Sequence, residues 1–501
     1  MVIWLNLLKC LEAGGLIALG LFSLHRVWLL GLRLRYSWSP PRPLREFTEL
    51  PVVTIQLPTF NERYVIGRLL DAVTRLDYPR DRLEIQVLDD STDDTTALIA
   101  QRVAALHAQG FRILHLHRSH RTGFKAGALA QGLTLARGEF IALFDADFVP
   151  TPDFLRRTIH HLTDARVGMV QARWGHLNRN DSFLTRAQAL MLDGHFLIEQ
   201  VARSRAGHFF NFNGTAGVWR TQTILDAGGW RADTLTEDLD LSYRAQLKGW
   251  RFVYLKDLVV PAELLMRMGA LKAQQHRWTK GSIQTAIKLF PQLLRSKAHW
   301  PVKLEACFHL GNWLHYPMAL LLAVLILPAL MIAHSQTGIA GNWAWEGLVS
   351  VLLISTMAAF YGVAHQQSRE PWWRFVTDLP VLMAITAGLA LNNTRAVLEA
   401  FRGVPSTFHR TPKYNGHGAA VRRPGYRGHV RGGTWGLGEV GLGVYVCATL
   451  TYAASQALYS VVPFLVPLSA GFLYAGFSAL LPRLTLFAEP RPSWRDQNTP
   501  P

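Results

Sequence analysis

Four long apolar runs along the chain predict helices that cross a membrane. They cover residues 11–31, 314–334, 345–365 and 440–482. Each is apolar over enough residues to cross roughly 30 Å of hydrocarbon. The last run is too long for one span, and the prolines at positions 463 and 467 indicate two spans joined by a tight turn. The pattern therefore predicts an integral membrane protein with five spans.

Basic residues predict how these spans are oriented. Several arginines lie between residues 33 and 45, directly after the first span, and such flanks stay in the cytoplasm. Residues 46–300 then lie inside, and the uncharged loop 335–345 lies outside. The apolar run 379–391 is too short for a span, so we predict a re-entrant or interfacial segment there. This arrangement keeps the Arg-rich loop 401–433 in the cytoplasm.

Between the first and second spans, short β-rich runs alternate with helical patterns. The predicted strands are residues 52–57, 83–88, 111–116, 140–144 and 167–172. This βαβ alternation predicts an α/β domain with a mostly parallel sheet covered by helices on both faces. Ligands of such sheets bind beyond the carboxyl ends of the strands, so polar residues at those ends are candidate site residues.

Polar residues directly follow three of the predicted strands. They are Thr59 and Glu62 after the first strand, Asp89 and Asp90 after the second, and Asp145 and Asp147 after the fourth. Each group alone is weak evidence, because Asp and Asn after a strand are ordinary turn residues. If the strands are neighbours in one parallel sheet, however, these groups converge at a single edge.

Asp145 and Asp147 are the candidate metal ligands. We expect both to point to the same side of an extended segment, where two carboxylates can hold Mg²⁺ or Mn²⁺ with substrate phosphates completing the shell. Lys125 lies in the Gly-rich stretch 121–128, which begins a helix and is suited to phosphate contact. A simple turn before a helix explains that stretch equally well.

The segment TEDLDLSYRAQLKGW (236–250) concentrates acidic residues at the start of a predicted helix. Residues 234–237 fit a capping box, in which Glu237 would bind backbone amides. Asp238 would lie in the first turn, at the positive end of the helix, where a carboxylate stays ionised. An ionised carboxylate beside a metal–diphosphate site can accept a proton from an attacking hydroxyl, so Asp238 and Glu237 are the candidate catalytic residues.

The stretch QQHRW (274–278) is a candidate acceptor site. Gln274, Arg277 and Trp278 share one helix face because they are spaced i, i+3, i+4. An indole stacks on a sugar ring, an amide binds hydroxyls, and a guanidinium stabilises a leaving diphosphate. The pattern alone is weak, since Trp and Arg also occur at membrane interfaces.

The His-rich stretch LHLHRSH (114–120) raises the question of a metal site formed by His115, His117 and His120. We rejected that interpretation for two reasons. His115 and His117 alternate along a predicted strand, and no partner cluster with suitable spacing follows them.

Composition narrows the possible partners. The formal net charge of +17 is explained by positive-inside loops, by attraction to anionic lipid, or by neutralisation of substrate phosphates. No motif indicates nucleic-acid binding, so we expect no such partner. The three cysteines lie far apart and fit neither a disulfide framework nor a metal site.

The order of the motifs reveals a family resemblance. The chain carries, in this order, PTFNE (58–62), VLDDST (87–92), RTGFKAGAL (121–129), FDADF (144–148), QARWGHLN (171–178), FNGTAGVWR (212–220), TED (236–238) and QQHRW (274–278). Over about residues 50–285 it resembles processive family-2 inverting glycosyltransferases of the cellulose synthase superfamily, especially the cellulose-synthase-like mannan and glucan synthases. The resemblance implies a nucleotide-diphospho-sugar transferase (GT-A-like) domain inserted between transmembrane helices.

The resemblance also implies a role for each candidate residue. Asp89 and Asp90 would hold the nucleotide, Asp145 and Asp147 would bind its diphosphate through Mg²⁺ or Mn²⁺, Asp238 would be the general base, and Gln274, Arg277 and Trp278 would line the acceptor site. Phe408, Thr411 and Lys413 resemble the gating-loop motif of processive synthases, although Arg410 and Pro412 depart from it. A polybasic loop that faces lipid is the alternative interpretation of this segment.

The predicted organisation has seven parts. They are an N-terminal anchor (1–45), a cytoplasmic glycosyltransferase domain (46–285), interfacial helices (286–312), two transmembrane helices (313–366), an interfacial or re-entrant segment with the gating-like loop (367–435), two further transmembrane helices (436–482) and a cytoplasmic tail (483–501). An Arg- and Ala-rich composition favours a bacterial inner membrane.

The predicted activity is polymerisation of a β-linked glycan from UDP-glucose or GDP-mannose, with translocation of the product across the lipid bilayer. The linkage would be of the β-1,4-glucan or β-mannan type, and an accessory export subunit is an expected partner. Two alternatives stay open. One is transfer of a single sugar to a lipid carrier, and the other is a transporter or receptor that only binds nucleotide sugars.

Overall fold

The computed structural model describes residues 2–36, 40–337, 343–406, 413 and 435–486. Seven strands lie in this part of the chain and form one sheet in the order β3-β2-β1-β4-β6-β5-β7. The strands are β1 Val53–Thr59, β2 Leu83–Asp89, β3 Ile113–His117, β4 Phe140–Leu143, β5 Val167–His176, β6 Gly217–Arg220 and β7 Arg251–Ala262. Only β6 runs against its neighbours, so the prediction of a mostly parallel sheet is confirmed.

Both faces of the sheet are buried, because side chains that alternate along its strands pack into an apolar layer on each side. In β1, Val53, Ile55 and Leu57 pack into one apolar cluster together with helix residues 66–73. In β4, Ile141 and Leu143 point into a second cluster on the opposite face. Because successive side chains of a strand point to opposite faces, one apolar strand supplies both layers.

Sixteen helices surround or follow this sheet in the described residues. They are α1 Val2–Arg35, α2 Ile66–Val73, α3 Thr95–Ala108, α4 Phe124–Leu135, α5 Phe154–Ile159, α6 Phe183–Asp193, α7 Gln200–Ala206, α8 Thr221–Asp226, α9 Glu237–Leu247, α10 Met268–Arg295, α11 Trp300–Gly311, α12 His315–Thr337, α13 Trp343–Ser368, α14 Trp372–Phe401, α15 Trp435–Ser455 and α16 Val462–Leu486. Helix α10 runs through residue 285, where the end of the glycosyltransferase domain was predicted.

Five helical segments of the described chain are long and apolar enough to cross a membrane. They are Asn6–Arg35, Trp300–Ile332, Trp372–Phe401, Trp435–Ser455 and Tyr459–Leu481. Four of them overlap predicted spans, whereas the predicted span 345–365, which lies in α13, is not among these five segments. The segment Trp372–Phe401 contains the run 379–391, which was predicted to be a short separate segment and is instead part of a continuous 30-residue helix.

Helix α14 contacts the sheet domain near both of its ends. Close to its start, Arg374 donates to the Asn180 side-chain oxygen over 2.8 Å. Close to its end, Glu399 accepts from Lys280 of α10 over 3.1 Å. Both ends of α14 are therefore tied to the part of the chain that carries the sheet.

Helices α14 and α16 approach each other through glycines. A Cβ on Gly471 would lie 2.0 Å from the Ala384 carbonyl oxygen, and a Cβ on Gly388 would lie 2.5 Å from the Gly471 carbonyl oxygen. Small residues permit such close contact between apolar helices.

We expect Gly471→Ala to destabilise the protein by about 1–3 kcal/mol, because the added methyl group forces the two helices apart. The measurement is thermal unfolding in detergent, followed by fluorescence. Gly441→Ala is the matched control, because a Cβ on that helical glycine meets nothing within 4 Å. Equal melting temperatures for the two variants would contradict this packing.

Candidate active site

A cleft with an empty volume of about 1120 Å³ lies at the carboxyl ends of β1, β2 and β4. Most of the predicted site residues line it. They are Thr59, Glu62, Asp90, Lys125, Asp145, Asp147, Glu237, Asp238, Gln274, Arg277, Trp278 and Lys413. Phe408 and Thr411 lie outside the described residues. Donor, base and acceptor candidates from distant parts of the chain thus share one cleft.

The two candidate metal ligands lie in a turn, not in the extended segment that we predicted. The Phe148 N–H closes this turn by donating to the Asp145 carbonyl over 3.0 Å. Each carboxylate contacts a lysine. Lys125 Nζ lies 2.5 Å from Asp145 Oδ1, and Lys413 Nζ lies 2.7 Å from Asp147 Oδ2. Two carboxylates on one wall of a cleft are a donor set that fits Mg²⁺ or Mn²⁺.

Lys125 is held at the start of α4 by its glycine neighbours. Gly123 precedes the helix with φ at +71°, a conformation that L side chains rarely adopt. A Cβ on Gly127 would lie 2.1 Å from the Thr122 carbonyl oxygen. From this position Lys125 also donates to the Gly214 carbonyl over 2.9 Å. The glycines of the RTGFKAGA stretch therefore permit the tight helix start that positions Lys125.

Asp90 and Asp89 are neighbours in sequence but occupy different environments. Asp90 lines the cleft and accepts two hydrogen bonds of 2.6 Å from Arg118. Asp89 is fully buried behind the cleft, where it contacts His115 and His117. Burial would raise the pKa of the Asp89 carboxyl, but hydrogen bonds from His115 and Ser91 hold that pKa well below its usual range. Only Asp90 is placed to meet a ligand in the cleft.

The acidic pair opens α9, but the predicted capping box is wrong. Thr236 is the N-cap residue and makes no side-chain capping bond, and its hydroxyl lies 3.2 Å from that of Thr285. The Leu239 N–H donates to the Asp238 carboxylate over 2.9 Å. Glu237 is therefore not explained as a capping residue.

The prediction of a fully ionised Asp238 also needs correction. Burial and the adjacent Glu237 charge raise the pKa of Asp238 to about 7, while Lys125 acts in the opposite direction. Burial raises the pKa of Glu237 as well. A carboxylate that titrates near neutral pH is suited to accepting a proton, because proton transfer is most efficient when the pKa is close to the working pH.

Helix α10 places its candidate acceptor-site residues in the cleft, and ion pairs of two other residues hold the helix against neighbouring helices. Gln274, Arg277 and Trp278 line the cleft as predicted. On the opposite face, Lys272 lies 2.5 Å from Glu439 of α15. Lys280 contacts Glu399 of α14, as described above. These buried ion pairs connect the acceptor-site helix to the apolar helices.

A second cavity, with an empty volume of about 440 Å³, adjoins the cleft at Trp278. Trp174, His176 and Gln188 line it, and sequence analysis assigned none of them. Asn213 and Gly214 in the main cleft were missed as well, although both lie in the FNGTAGVWR motif. Gly214 has φ at +81°, and a Cβ there would lie 3.0 Å from Asp238 Oδ2. The motif was visible in the sequence, but its contact with α9 was not.

Comparison with known proteins identifies the domain that carries this cleft. Residues 51–281 match the family described as "Glycosyltransferase like family 2". Residues 51–281 form a family 2 glycosyltransferase domain. The predicted family is thereby confirmed for this part of the chain.

Curated relatives of the glycosyltransferase domain include two plant proteins. Over 270 residues the chain is 43% identical to glucomannan 4-beta-mannosyltransferase 2 of Arabidopsis thaliana. The aligned region is 52% of this chain and 51% of the relative. Over 252 residues it is 46% identical to glucomannan 4-beta-mannosyltransferase 1 of Oryza sativa subsp. japonica. This aligned region is 49% of this chain and 48% of the relative. The match thus spans about half the length of these relatives.

A solved structure confirms the GT-A-like fold. It is the mannosyltransferase PcManGT from Pyrobaculum calidifontis in complex with GDP-Man and Mn²⁺, with a TM-score of 0.54 and 24% sequence identity. The alignment covers 79% of this chain and the whole of that chain. At this identity the likeness concerns the fold.

The lysine at Asp147 leads to a prediction about metal binding. A cation that binds Asp147 must displace Lys413, so we expect Lys413→Ala to tighten Mn²⁺ binding by about three- to tenfold, the scale of an ion pair worth roughly 1 kcal/mol. Electron paramagnetic resonance of free Mn²⁺ measures this affinity. Lys256→Ala, which removes the 3.6 Å contact with Asp257, is the control and should have no effect. Weaker Mn²⁺ binding by Lys413→Ala would contradict the competition.

Proposed function

We propose that this protein is a membrane-embedded, processive, inverting glycosyltransferase that polymerises a β-mannan-type glycan from GDP-mannose. The observation that carries the proposal is the position of Asp238. It lines the same cleft as the groups suited to a nucleotide diphosphate and the Gln274, Arg277 and Trp278 face of α10. The names of the plant relatives, at 43% and 46% identity, favour mannose over glucose as the transferred sugar.

The donor side of the cleft is suited to a diphosphate. Asp145 and Asp147 would hold Mg²⁺ or Mn²⁺, and a bound divalent cation would neutralise negative charge on the phosphates. Lys125 lies beside Asp145 and supplies a further positive charge at this wall. The Asp90–Arg118 pair lies at the same wall and would contact the nucleoside.

Asp238 would act as the general base. Its carboxylate would accept the proton of an acceptor hydroxyl, whose oxygen attacks C1 of the donor sugar. The bond from C1 to the diphosphate oxygen breaks on the opposite side, so an α-linked donor gives a β-linked product. Arg277 is placed in the same cleft to stabilise charge on the leaving diphosphate.

The acceptor side would hold the end of the growing chain. The Trp278 indole offers a flat surface for a sugar ring, and Gln274 offers hydrogen bonds to its hydroxyls. The adjoining cavity lined by Trp174 begins at this point and adds a second aromatic side chain beside Trp278. Both features favour repeated transfer over transfer of a single sugar to a lipid carrier.

We further propose that the glycosyltransferase domain lies in the cytoplasm and that α14 lies at the membrane interface. Contacts of both α14 ends with the domain support an interfacial position, because a spanning helix would carry one end to the other side. The product would pass between the apolar helices. A bacterial inner membrane and an accessory export subunit remain predictions from the sequence.

The test supplies purified protein with Mn²⁺ and either radiolabelled GDP-mannose or UDP-glucose. We expect ethanol-insoluble product from GDP-mannose that a β-mannanase digests. Asp238→Asn should lower kcat by about 10²- to 10⁴-fold, the usual contribution of a general base, and leave donor binding intact. A lipid-soluble single-sugar product would favour the alternative function. Polymer from UDP-glucose alone would overturn the choice of donor.

The pKa of Asp238 predicts the pH dependence of the reaction. The base must be ionised, so kcat/KM for the donor should fall about tenfold per pH unit below roughly pH 7. Glu237→Gln removes a charge that raises this pKa, so the acidic limb should move to lower pH. Glu139→Gln, an exposed surface change, should leave the profile unmoved. If the acidic limb of the pH profile stays in place in Glu237→Gln, Asp238 is not the titrating group.

A further inference from the structure

Asp89, His115 and His117 form a cluster of potential metal ligands on β2 and β3, outside the proposed donor and acceptor sites. One nitrogen from each imidazole and one carboxylate oxygen all lie within 4.8 Å of one another. In the sequence, no partner cluster with suitable spacing follows the two histidines. The partner precedes them, on the neighbouring strand, where Asp89 pairs in register with His117. We propose that this cluster binds a Zn²⁺ ion, independently of the glycosyltransferase reaction.

The ligand spacing is close to that of a tetrahedral zinc site. Zn–N and Zn–O bonds of about 2.0–2.2 Å place neighbouring ligand atoms roughly 3.3–3.5 Å apart. Asp89 Oδ2 lies 3.0 Å from His115 Nε2 and 3.2 Å from His117 Nδ1. Shifts of a few tenths of an ångström bring these two distances to that range, and the two imidazole nitrogens lie within 4.8 Å of each other.

The cluster converges on a single oxygen atom. Both imidazoles contact Oδ2 of Asp89, whereas Oδ1 accepts the Ser91 N–H over 2.9 Å. The carboxylate is therefore oriented by its second oxygen, as metal-binding carboxylates commonly are. The His117 side chain is 40% exposed, so a water molecule can reach the fourth position.

This site is separate from the one formed by Asp145 and Asp147. Strand β1 lies between β2 and β4, which separates the two sites by roughly 10 Å at the usual strand spacing. The ligand types differ as well. Imidazole nitrogens suit Zn²⁺, whereas a purely carboxylate set suits Mg²⁺ or Mn²⁺.

A bound ion here would fix one wall of the donor cleft. β3 is an edge strand of five residues, paired only with β2. Arg118 directly follows His117 and holds Asp90 through its two short hydrogen bonds. Linking the ends of β2 and β3 through the ion would restrain this pair, so the inferred role is structural.

Cobalt substitution distinguishes the two kinds of site, because tetrahedral Co²⁺ absorbs visible light far more strongly than octahedral Co²⁺. Full-length protein is stripped with EDTA and titrated with Co²⁺, then with Zn²⁺. We expect one intense tetrahedral spectrum per chain, abolished by one equivalent of Zn²⁺. His117→Ala should lose it, and the matched control His120→Ala, an exposed histidine of the same stretch, should retain it. Asp147→Asn should retain it too.

Thermal unfolding provides a second measurement that does not depend on colour. Zn²⁺ that binds only the folded protein raises the melting temperature, so wild type and His120→Ala should be stabilised and His117→Ala should not. A tetrahedral spectrum that persists in His117→Ala, or its absence from folded wild-type protein, would overturn the proposal. Glycosyltransferase activity enters neither readout, so failure here is distinguishable from failure of the proposed function.

Discussion

The Lys125 ammonium connects three separate pieces of chain that together make the candidate site. It contacts Asp145 after β4, donates to the Gly214 carbonyl, and lies beside the acidic start of α9. Burial alone would lower the pKa of Lys125, but Asp145 and Glu237 together raise it above its usual value. Without this positive charge, the carboxylates of Asp145, Glu237 and Asp238 would be balanced by Arg277 alone among the charges that act on Glu237. The lysine therefore sets both the geometry of the site and its charge balance.

Charge also connects the site to the apolar helices. Glu305 of α11 contacts His25 of α1 over 2.8 Å and Arg203 of α7 over 2.9 Å, all buried. Arg203 then reaches Glu199, and the network continues to His195, which lies 2.9 Å from Asn213 in the cleft. Removing one partner of such a network leaves a buried charge unpaired, which is strongly destabilising. The position of the apolar helices and that of the 212–215 loop are consequently interdependent.

The sequence predicted the parts of the molecule that depend on local pattern. Strand ends, the Gly-rich helix start and the face of α10 all follow from periodicity and turn chemistry, and the structure brings them into one cleft. What failed depended on contacts across the chain. The capping box predicted for residues 234–237 is absent because α9 begins at Glu237 and its N-cap is Thr236, not Thr234. Strand β6 has only four residues and is identified by its pairing with β4 and β5. The Asp89–His117 pairing needed the register of β2 with β3.

The proposed donor side and the proposed acceptor side of the cleft are built on different elements, and this difference bears on the proposed processive synthesis. The donor side is built on strand ends of a sheet buried on both faces, which holds Asp145 and Lys125 in a fixed relation. The acceptor side is a single helix, α10, tied through Lys272 and Lys280 to the apolar helices. A displacement of those helices would move Trp278 relative to Asp238 while leaving the donor groups in place. The proposed processive reaction, in which each new donor binds identically while the product advances by one sugar, would need this division between a rigid donor wall and an acceptor wall coupled to the apolar helices.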